Sequence, residues 1–269
     1  TSEGEGTHNR VLAAARLLEK YKVPFCAMCV VNRDNAKLPL DVYRFLTREL
    51  RAWRLQFIAC VEPKVFRNTA PQHWDKASLP SQDSDRARPG TEDSIVTDWS
   101  VDPQDWGRFL CRVWDEWYKR GFGKIHVDLF ETAIAQSLGM LSQRCVTAEF
   151  CGKGLAIEKN GDVFTCDHYV YPEFKIGNIL TNHWSTLAYS ENQKKFAFYK
   201  RDSLPAYCKA CEHLKLCWGE CPKNRMLLTP GGEPGLNYLC IGLKHFFSHI
   251  KRDMPEIIRR IRSANPAIR

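Results

Sequence analysis

The stretch Cys208-Lys-Ala-Cys211, followed by Cys217-Trp-Gly-Glu-Cys221, decides how the rest of this chain is interpreted. It is the dense end of a cysteine-rich region that holds eight of the twelve cysteines: Cys145, Cys151, Cys166, Cys208, Cys211, Cys217, Cys221 and Cys240. Eight thiols make two sets of four, and four thiolates bind one tetrahedral zinc ion or one iron–sulfur cluster. The region therefore predicts two metal or cluster sites.

Two other interpretations of these cysteines fit less well. A disulfide framework is typical of small secreted chains, whereas this one has 269 residues and shows no signal peptide. A zinc scaffold with two all-cysteine sites fits the ligand count. Structural zinc sites, however, favour close pairs of ligands, and Cys145, Cys151 and Cys166 are widely spaced.

The composition describes a folded protein with a sizeable core. Of the residues, 44% are hydrophobic and 12% aromatic, and no run approaches the length of a membrane span. The formal charge of +8 is scattered, apart from Arg259, Arg260 and Arg262. Two four-thiolate [4Fe–4S] clusters would each add roughly two negative charges and halve that excess. We therefore expect neither nucleic-acid binding nor membrane association, and we expect a cytoplasmic location.

The first half alternates helices with apolar strands, as an α/β barrel or a doubly wound sheet does. The periodicity predicts, in order, a helix over 9–22, a strand over 24–31, a helix from Pro39 to Leu50, a strand over 55–61, a strand over 124–130 and a helix over 132–141. The near-continuous apolar runs predict strands that are buried on both faces. Three such units make about half of an eight-fold barrel.

Other features of the first half concern loops and single residues. Residues 62–100 lack periodicity and predict a long loop insertion, mobile over 81–91, before a helix capped by Asp102 and Pro103. Asn32 and Glu62 follow predicted strands, where barrel active-site residues lie, although each is equally an ordinary loop residue. The cysteines of this half are expected to be buried apolar side chains: Cys26, Cys29, Cys60 and Cys111.

The second half begins with a predicted β-hairpin over 154–165, whose Asn160-Gly161 pair indicates a type I′ turn. This hairpin carries Cys166 back towards the other early cysteines. Asp167 beside a bound thiolate is a candidate general base or a solvated loop residue, and His168 is a candidate ligand, a donor or a packed side chain. Helices are predicted over 184–199, 236–250 and 255–261.

The cysteine spacing and its flanking sequence resemble one known family. Cys-x5-Cys-x14-Cys from Cys145, followed by Cys-x2-Cys-x5-Cys-x3-Cys-x18-Cys from Cys208, resembles the twin-cluster SPASM region of radical SAM peptide-modifying enzymes. Longer matches resemble the anaerobic sulfatase-maturating enzymes: Gly-Asp-Val-Phe-Thr-Cys-Asp-His-Tyr-Val-Tyr-Pro-Glu (161–173), Ile-Gly-Asn-Ile (176–179), Arg-Asp-Ser-Leu-Pro-Ala-Tyr-Cys (201–208) and Gly-Glu-Pro-Gly-Leu-Asn-Tyr-Leu-Cys (232–240). The first half matches through 29–32 and 56–62.

The resemblance implies ligands, cofactors and a reaction. It implies one auxiliary [4Fe–4S] cluster on Cys145, Cys151, Cys166 and Cys221, and a second on Cys208, Cys211, Cys217 and Cys240. The implied reaction oxidises a Cys or Ser of a sulfatase to Cα-formylglycine, with Asp167 as the base. The implied partners are an unfolded sulfatase segment of the type Cys/Ser-x-Pro/Ala-x-Arg and a reductant such as flavodoxin or ferredoxin.

One departure limits the resemblance. The family generates its radical on a third [4Fe–4S] cluster held by Cys-x3-Cys-x2-Cys, and the 269 residues contain no such motif. Gly-Gly-Glu-Pro (231–234) mimics the family's S-adenosylmethionine motif, but it lies among the cluster cysteines. We therefore expect a C-terminal portion that does not cleave S-adenosylmethionine alone. Its expected parts are a half barrel over 1–141, a SPASM domain over 142–243 and a helical tail over 244–269.

Two further functions fit the same cysteines. A SPASM enzyme that modifies another peptide is one of them. A standalone iron–sulfur protein for electron transfer or partner docking is the other, since the chain lacks the radical-generating motif.

Overall fold

The computed structural model describes residues 6–65, 76–152 and 154–265. Its helices are α1 (His8–Lys20), α2 (Pro39–Arg44), α3 (Pro103–Arg120), α4 (Asp128–Ser137), α5 (Trp184–Ala188), α6 (Glu191–Asp202), α7 (Ala206–Lys209), α8 (Leu214–Cys217), α9 (Cys240–Lys251) and α10 (Met254–Ala264). Its strands are β1 (Cys26–Val31), β2 (Arg54–Ala59), β3 (His126–Val127), β4 (Ala156–Ile157), β5 (Asp162–Phe164), β6 (Lys175–Asn178), β7 (Arg225–Leu228) and β8 (Pro234–Asn237). No helix within these ranges is both long and apolar enough to cross a membrane.

The predicted alternation of the first half is confirmed. Strands β1, β2 and β3 form one parallel sheet in that order, and α2 continues as a π-helix over Phe45–Glu49. Asp102 caps α3 as expected, because its carboxylate accepts from the backbone N–H groups of Gln104 and Asp105. Residues 66–75 of the predicted loop insertion and the segment before Gly6 lie outside the described residues.

The prediction that the strands are buried on both faces is wrong for β1. Ala27 and Val31 point into the core, whereas the alternate side chains Met28 and Val30 are 65% and 54% exposed. Cys26 is exposed on the same face, so it is not the buried side chain that its apolar neighbours predicted. The alternation of the pleat separates the two faces, and within the described residues only one of them is covered.

The third strand is shorter than its apolar run predicted. Only His126–Val127 pair with β2, and Asp128 already begins α4. The Asp128 carboxylate forms an ion pair with Arg144 and lies 3.8 Å from Arg54, while its carbonyl accepts from the Thr132 hydroxyl at 2.7 Å. An acidic residue in the first turn favours a helix, which explains why the chain leaves the sheet there.

The second half is built from small antiparallel sheets. The hairpin predicted over 154–165 is confirmed as β4 and β5, and β6 adds a third strand. Its turn is not type I′: Gly161 alone adopts positive φ (84°), and its N–H donates to the Glu158 carbonyl at 2.8 Å. A turn of that kind followed by a left-handed glycine is the other common hairpin connection.

Two predicted helices differ from the structure. The helix expected over 184–199 is divided into α5 and α6, because the Ser190 hydroxyl caps a new helix by accepting from Gln193 N–H at 3.2 Å. The helix expected over 236–250 begins only at Cys240, since the residues before it form β8, paired with β7. Strands β6, β7 and β8 were not predicted from the sequence.

Helices α3 and α9 pack together and join the two halves. Gly107 and Gly242 lie at the crossing, where a Cβ atom on Gly242 would stand 1.9 Å from the Pro103 carbonyl oxygen. Around this contact, Trp114 packs edge-on against Phe130 and Phe246, with ring centroids 5.1 and 6.1 Å apart. The aromatic core thus fixes the start of α9, and with it Cys240.

The α3–α9 crossing gives a first prediction. Gly242→Ala should destabilise the chain by about 1–3 kcal/mol or more, because the added methyl group overlaps backbone that cannot move aside cheaply. Gly154→Ala is the control, since a methyl group added there would meet nothing within 4 Å. Chemical unfolding of both variants measures the difference, and equal stability of the two would contradict the close helix contact.

Candidate cluster sites

The four later cysteines share one cavity. Cys208, Cys211, Cys217 and Cys240 all line a small space of about 30 Å³. Cys208 lies on α7, Cys217 ends α8 and Cys240 begins α9. Two short helices and the start of a longer one thus bring these cysteines together. We call this group the second site.

The electrostatics of the second site favour a group that takes thiolates. Burial raises the pKa of Cys208 to about 11 and that of Cys217 to about 12, and nearby thiols add to both shifts. The pKa of Cys240 is raised further, by burial and then by its three cysteine neighbours. A metal or cluster that binds these sulfurs as thiolates removes this mutual penalty.

The other four cysteines form a group that we call the first site. Burial raises the pKa of Cys166 to about 12, and the charge of Cys151 contributes. The charges of Cys151 and Cys166 help to raise the pKa of Cys221, and the charge of Cys145 helps to raise the pKa of Cys151. Cys151 is anchored by its N–H, which donates to the Ala197 carbonyl of α6 at 3.2 Å. These mutual charge effects connect Cys145, Cys151, Cys166 and Cys221 with one another.

The loop between Cys217 and Cys221 separates the two sites. Trp218, Gly219 and Glu220 adopt positive φ values of 49°, 68° and 51° in succession. For residues with a side chain, this conformation costs about 1–3 kcal/mol each. The turn sends two cysteines that are four positions apart to different sites.

A zinc site would place several sulfurs about 2.3 Å from one ion. Among the described residues, no group of three or more His, Cys, Asp or Glu side chains converges on a point in that way.

Asp167 and His168 contact two cysteines of the first site. Asp167 is exposed, and its Oδ1 accepts from the Cys166 thiol at 3.1 Å. Desolvation acts to raise the pKa of Asp167, but that hydrogen bond and the charge of His168 outweigh it and lower the pKa. The His168 Nδ1 atom lies 3.4 Å from the Cys221 sulfur. An ionised, accessible carboxylate at this edge is able to accept a proton from a bound substrate.

A buried hydroxyl tests whether the first site fits an iron–sulfur cluster. Tyr169 is 2% exposed, and its hydroxyl has no hydrogen-bond partner among the described residues. Burial raises its pKa well above the usual value, and the charges of Cys221, Cys151 and Cys166 add to this shift. A buried hydroxyl without a partner costs about 1–3 kcal/mol. The sulfurs of an anionic cluster would accept a hydrogen bond from this hydroxyl, so the residues present fit such a group.

The remaining candidates have other surroundings. The Asn32 side chain accepts from the backbone N–H groups of Asp34 and Asn35 and so organises a turn. Glu62 bonds through its backbone to Ser100. Cys111 is buried as expected, while Cys29 and Cys60 are half-buried.

Sequence reasoning missed three residues beside the sites: Tyr169, Lys200 and Arg225. A Tyr within Cys-Asp-His-Tyr carries no sign of burial. Lys and Arg are surface residues by default, so nothing in the sequence marked these two.

The Tyr169 hydroxyl gives a second prediction. In the iron-free chain, Tyr169→Phe should leave the free energy of unfolding unchanged or raise it, because the hydroxyl loses no partner. Tyr238→Phe is the matched control: its buried hydroxyl donates to the Val101 carbonyl at 3.0 Å, so its loss should cost about 1–3 kcal/mol. Chemical unfolding measures both, and a comparable loss in Tyr169→Phe would show that its hydroxyl has a protein partner.

Known sequences resemble this chain over most of its length. Residues 145–212 match the SPASM model, described as an iron–sulfur cluster-binding domain. The chain is 40% identical over 247 residues to a serine-type anaerobic sulfatase-maturating enzyme of Bacteroides thetaiotaomicron, covering 92% of this chain and 56% of that protein. It is 28% identical over 249 residues to a cysteine-type enzyme of Clostridium perfringens, covering 91% and 59%. The chain thus spans a little over half the length of these relatives.

Solved structures of one such enzyme share the fold of this chain. A structure described as native anSMEcpe with bound AdoMet and Cp18Cys peptide superimposes with a TM-score of 0.75 at 25% identity, covering 96% of this chain and 64% of that one. The architecture is therefore that of part of a radical SAM barrel followed by a SPASM domain. Over about nine-tenths of its length, this chain is similar to the anaerobic sulfatase-maturating enzymes, and within that length it matches the SPASM iron–sulfur cluster-binding domain over residues 145–212.

Proposed function

We propose that residues 142–243 bind two [4Fe–4S] clusters. Cys145, Cys151, Cys166 and Cys221 would hold the first, and Cys208, Cys211, Cys217 and Cys240 the second. The observation that carries this proposal is the separation of eight cysteines into two groups of four, one of which lines a single cavity. The unpartnered Tyr169 hydroxyl beside the first group supports it.

We infer that the chain is part of an enzyme that oxidises a Cys or Ser of a sulfatase to Cα-formylglycine. The names of its serine-type and cysteine-type relatives support this reaction. S-adenosylmethionine and a third cluster, when bound, supply the radical that removes a Cβ hydrogen atom. Asp167 would take the side-chain proton, and the first cluster, held by its four cysteines, would supply the acceptor for the second electron. For a Ser substrate this gives the aldehyde directly, whereas for a Cys substrate water would replace the sulfur, which leaves as hydrogen sulfide.

The proposed reaction requires a substrate and a reductant, and it assigns a role to each segment of the chain. The substrate would be an unfolded Cys/Ser-x-Pro/Ala-x-Arg segment, and the reductant a flavodoxin or ferredoxin; neither nucleic acid nor a membrane takes part. Residues 1–141 would supply part of the barrel and residues 244–269 a helical tail, and the enzyme would work in the cytoplasm.

The cluster proposal predicts a specific iron content. The chain reconstituted without oxygen should contain about eight iron and eight sulfide, because each [4Fe–4S] cluster takes four thiolates. Cys166→Ala and Cys217→Ala should each reduce both contents to about half, whereas Cys111→Ala, the buried cysteine outside the sites, should keep them. Metal and sulfide analysis decides the matter, and zinc without sulfide would rule the proposal out.

Asp167 gives a prediction about the reaction itself. The 269 residues contain no Cys-x3-Cys-x2-Cys motif, and we propose that alone they do not cleave S-adenosylmethionine. The assay therefore uses this sequence within a chain that carries the motif. Asp167→Asn should lower formylglycine formation on a sulfatase-type peptide by about 100-fold or more, as expected when a general base is lost.

The readout separates the base from a structural role. Asp167→Asn should keep its iron content and still form 5′-deoxyadenosine from S-adenosylmethionine. Unchanged formylglycine formation would contradict the assignment of Asp167. If the unaltered enzyme does not act on this peptide, the chain belongs to a maturase of another substrate.

A further inference from the structure

Two basic side chains are fully buried in the cysteine-rich half. Lys200 and Arg225 are each 0% exposed. The Lys200 ammonium donates to the carbonyls of Cys145 and Val146, the latter at 2.9 Å. The Arg225 guanidinium in turn donates to the Lys200 carbonyl at 2.8 Å, so the two residues form one connected unit, which we call the cation pair.

The cation pair has no carboxylate as a hydrogen-bond partner among the described residues. Arg225 completes its contacts with the Ser203 hydroxyl at 3.1 Å and the carbonyls of Trp218 and Gly219 at 3.0 and 3.1 Å. Glu220 is near, but its carboxylate accepts from the side-chain amides of Asn224 and Asn237. The Glu220 charge still acts on Lys200, but one carboxylate does not neutralise two cations. A buried cation without a counter-ion costs several kcal/mol, so the pair requires further negative charge nearby.

The position of the cation pair suggests which anions those are. Lys200 holds the backbone beside Cys145, in the first site. Arg225 holds the Trp218-Gly219 carbonyls, in the loop whose two ends supply Cys217 to the second site and Cys221 to the first. The positive charge of Arg225 acts on Cys151 and Cys208, one thiol from each site. The pair therefore lies against both groups of cysteines.

We propose that Lys200 and Arg225 are the shared buried counter-charge of the two cluster sites, with Lys200 favouring uptake of an electron at the first site. The inference rests on the proposed cluster ligation. A [4Fe–4S] cluster on four thiolates, when bound, accepts one electron and gains one negative charge. Lys200 stabilises that charge by Coulomb attraction in a medium that water does not screen, so it is a positioning residue for electron acceptance.

The test measures reduction of the first site in the reconstituted chain. Cys217→Ala leaves the first cluster alone, and a potentiometric titration with dithionite as electron donor, followed by electron paramagnetic resonance, gives its midpoint. Adding Lys200→Met should lower the equilibrium constant for reduction at least tenfold, or about 59 mV for one electron, with the iron content kept. Lys194→Met, on the exposed face of the same helix and paired with Glu191, should change neither.

A neutral donor separates charge from hydrogen bonding. Lys200→Gln keeps an N–H donor but removes the charge, so it should lower the midpoint as Lys200→Met does. The proposed role of Lys200 as a counter-charge would be overturned if Lys200→Met had the midpoint potential of the protein with Lys200, or if Lys200→Gln restored that potential. Should both variants lose iron, unfolding of the iron-free chains decides: unchanged stability supports the counter-charge, and reduced stability overturns it.

The proposed function and this inference fail in different ways. An unaltered chain that takes up no iron and sulfide would overturn the cluster sites and this inference together. An unaltered chain that loads fully, with variants of unchanged midpoint, overturns the counter-charge alone.

Discussion

The arrangement of this protein depends on one constrained turn. Between Cys217 and Cys221 the backbone passes through three left-handed residues in succession, a conformation that costs free energy and needs external support. That support is the Arg225 guanidinium, which donates to the carbonyls of Trp218 and Gly219 from a fully buried position. Cys217, before the turn, lines the cavity of the second site, whereas Cys221, after it, lies 3.4 Å from the His168 Nδ1 atom.

The surrounding fold fixes the other ligands relative to that turn. The aromatic packing of α3 against α9 sets Cys240, and the β4–β5 hairpin delivers Cys166. Helix α6 holds Cys151 through the Ala197 carbonyl and carries Lys200, whose ammonium donates to the Cys145 carbonyl. Cysteines distant in sequence thus come together because separate elements each contribute one or two of them.

Much of this architecture could be predicted from the sequence. Cysteine spacing identified the ligand region, and apolar runs identified β1 and β2, because both signals are local. The failures have physical causes: Asp128 ended β3 early through contacts with distant Arg144 and Arg54, and Ser190 divided a helix that periodicity alone continued. The roles of Tyr169, Lys200 and Arg225 depend on burial, which tertiary packing decides.

The central claim is that neighbouring cysteines of one loop serve different sites, and paired substitutions test it most directly. In the reconstituted chain, Cys217→Ala with Cys240→Ala removes two ligands of the same site, so about four iron should remain. Cys217→Ala with Cys221→Ala removes one ligand from each site, so little iron should remain. If both double variants retain the same iron content, the division of the loop between two sites is contradicted.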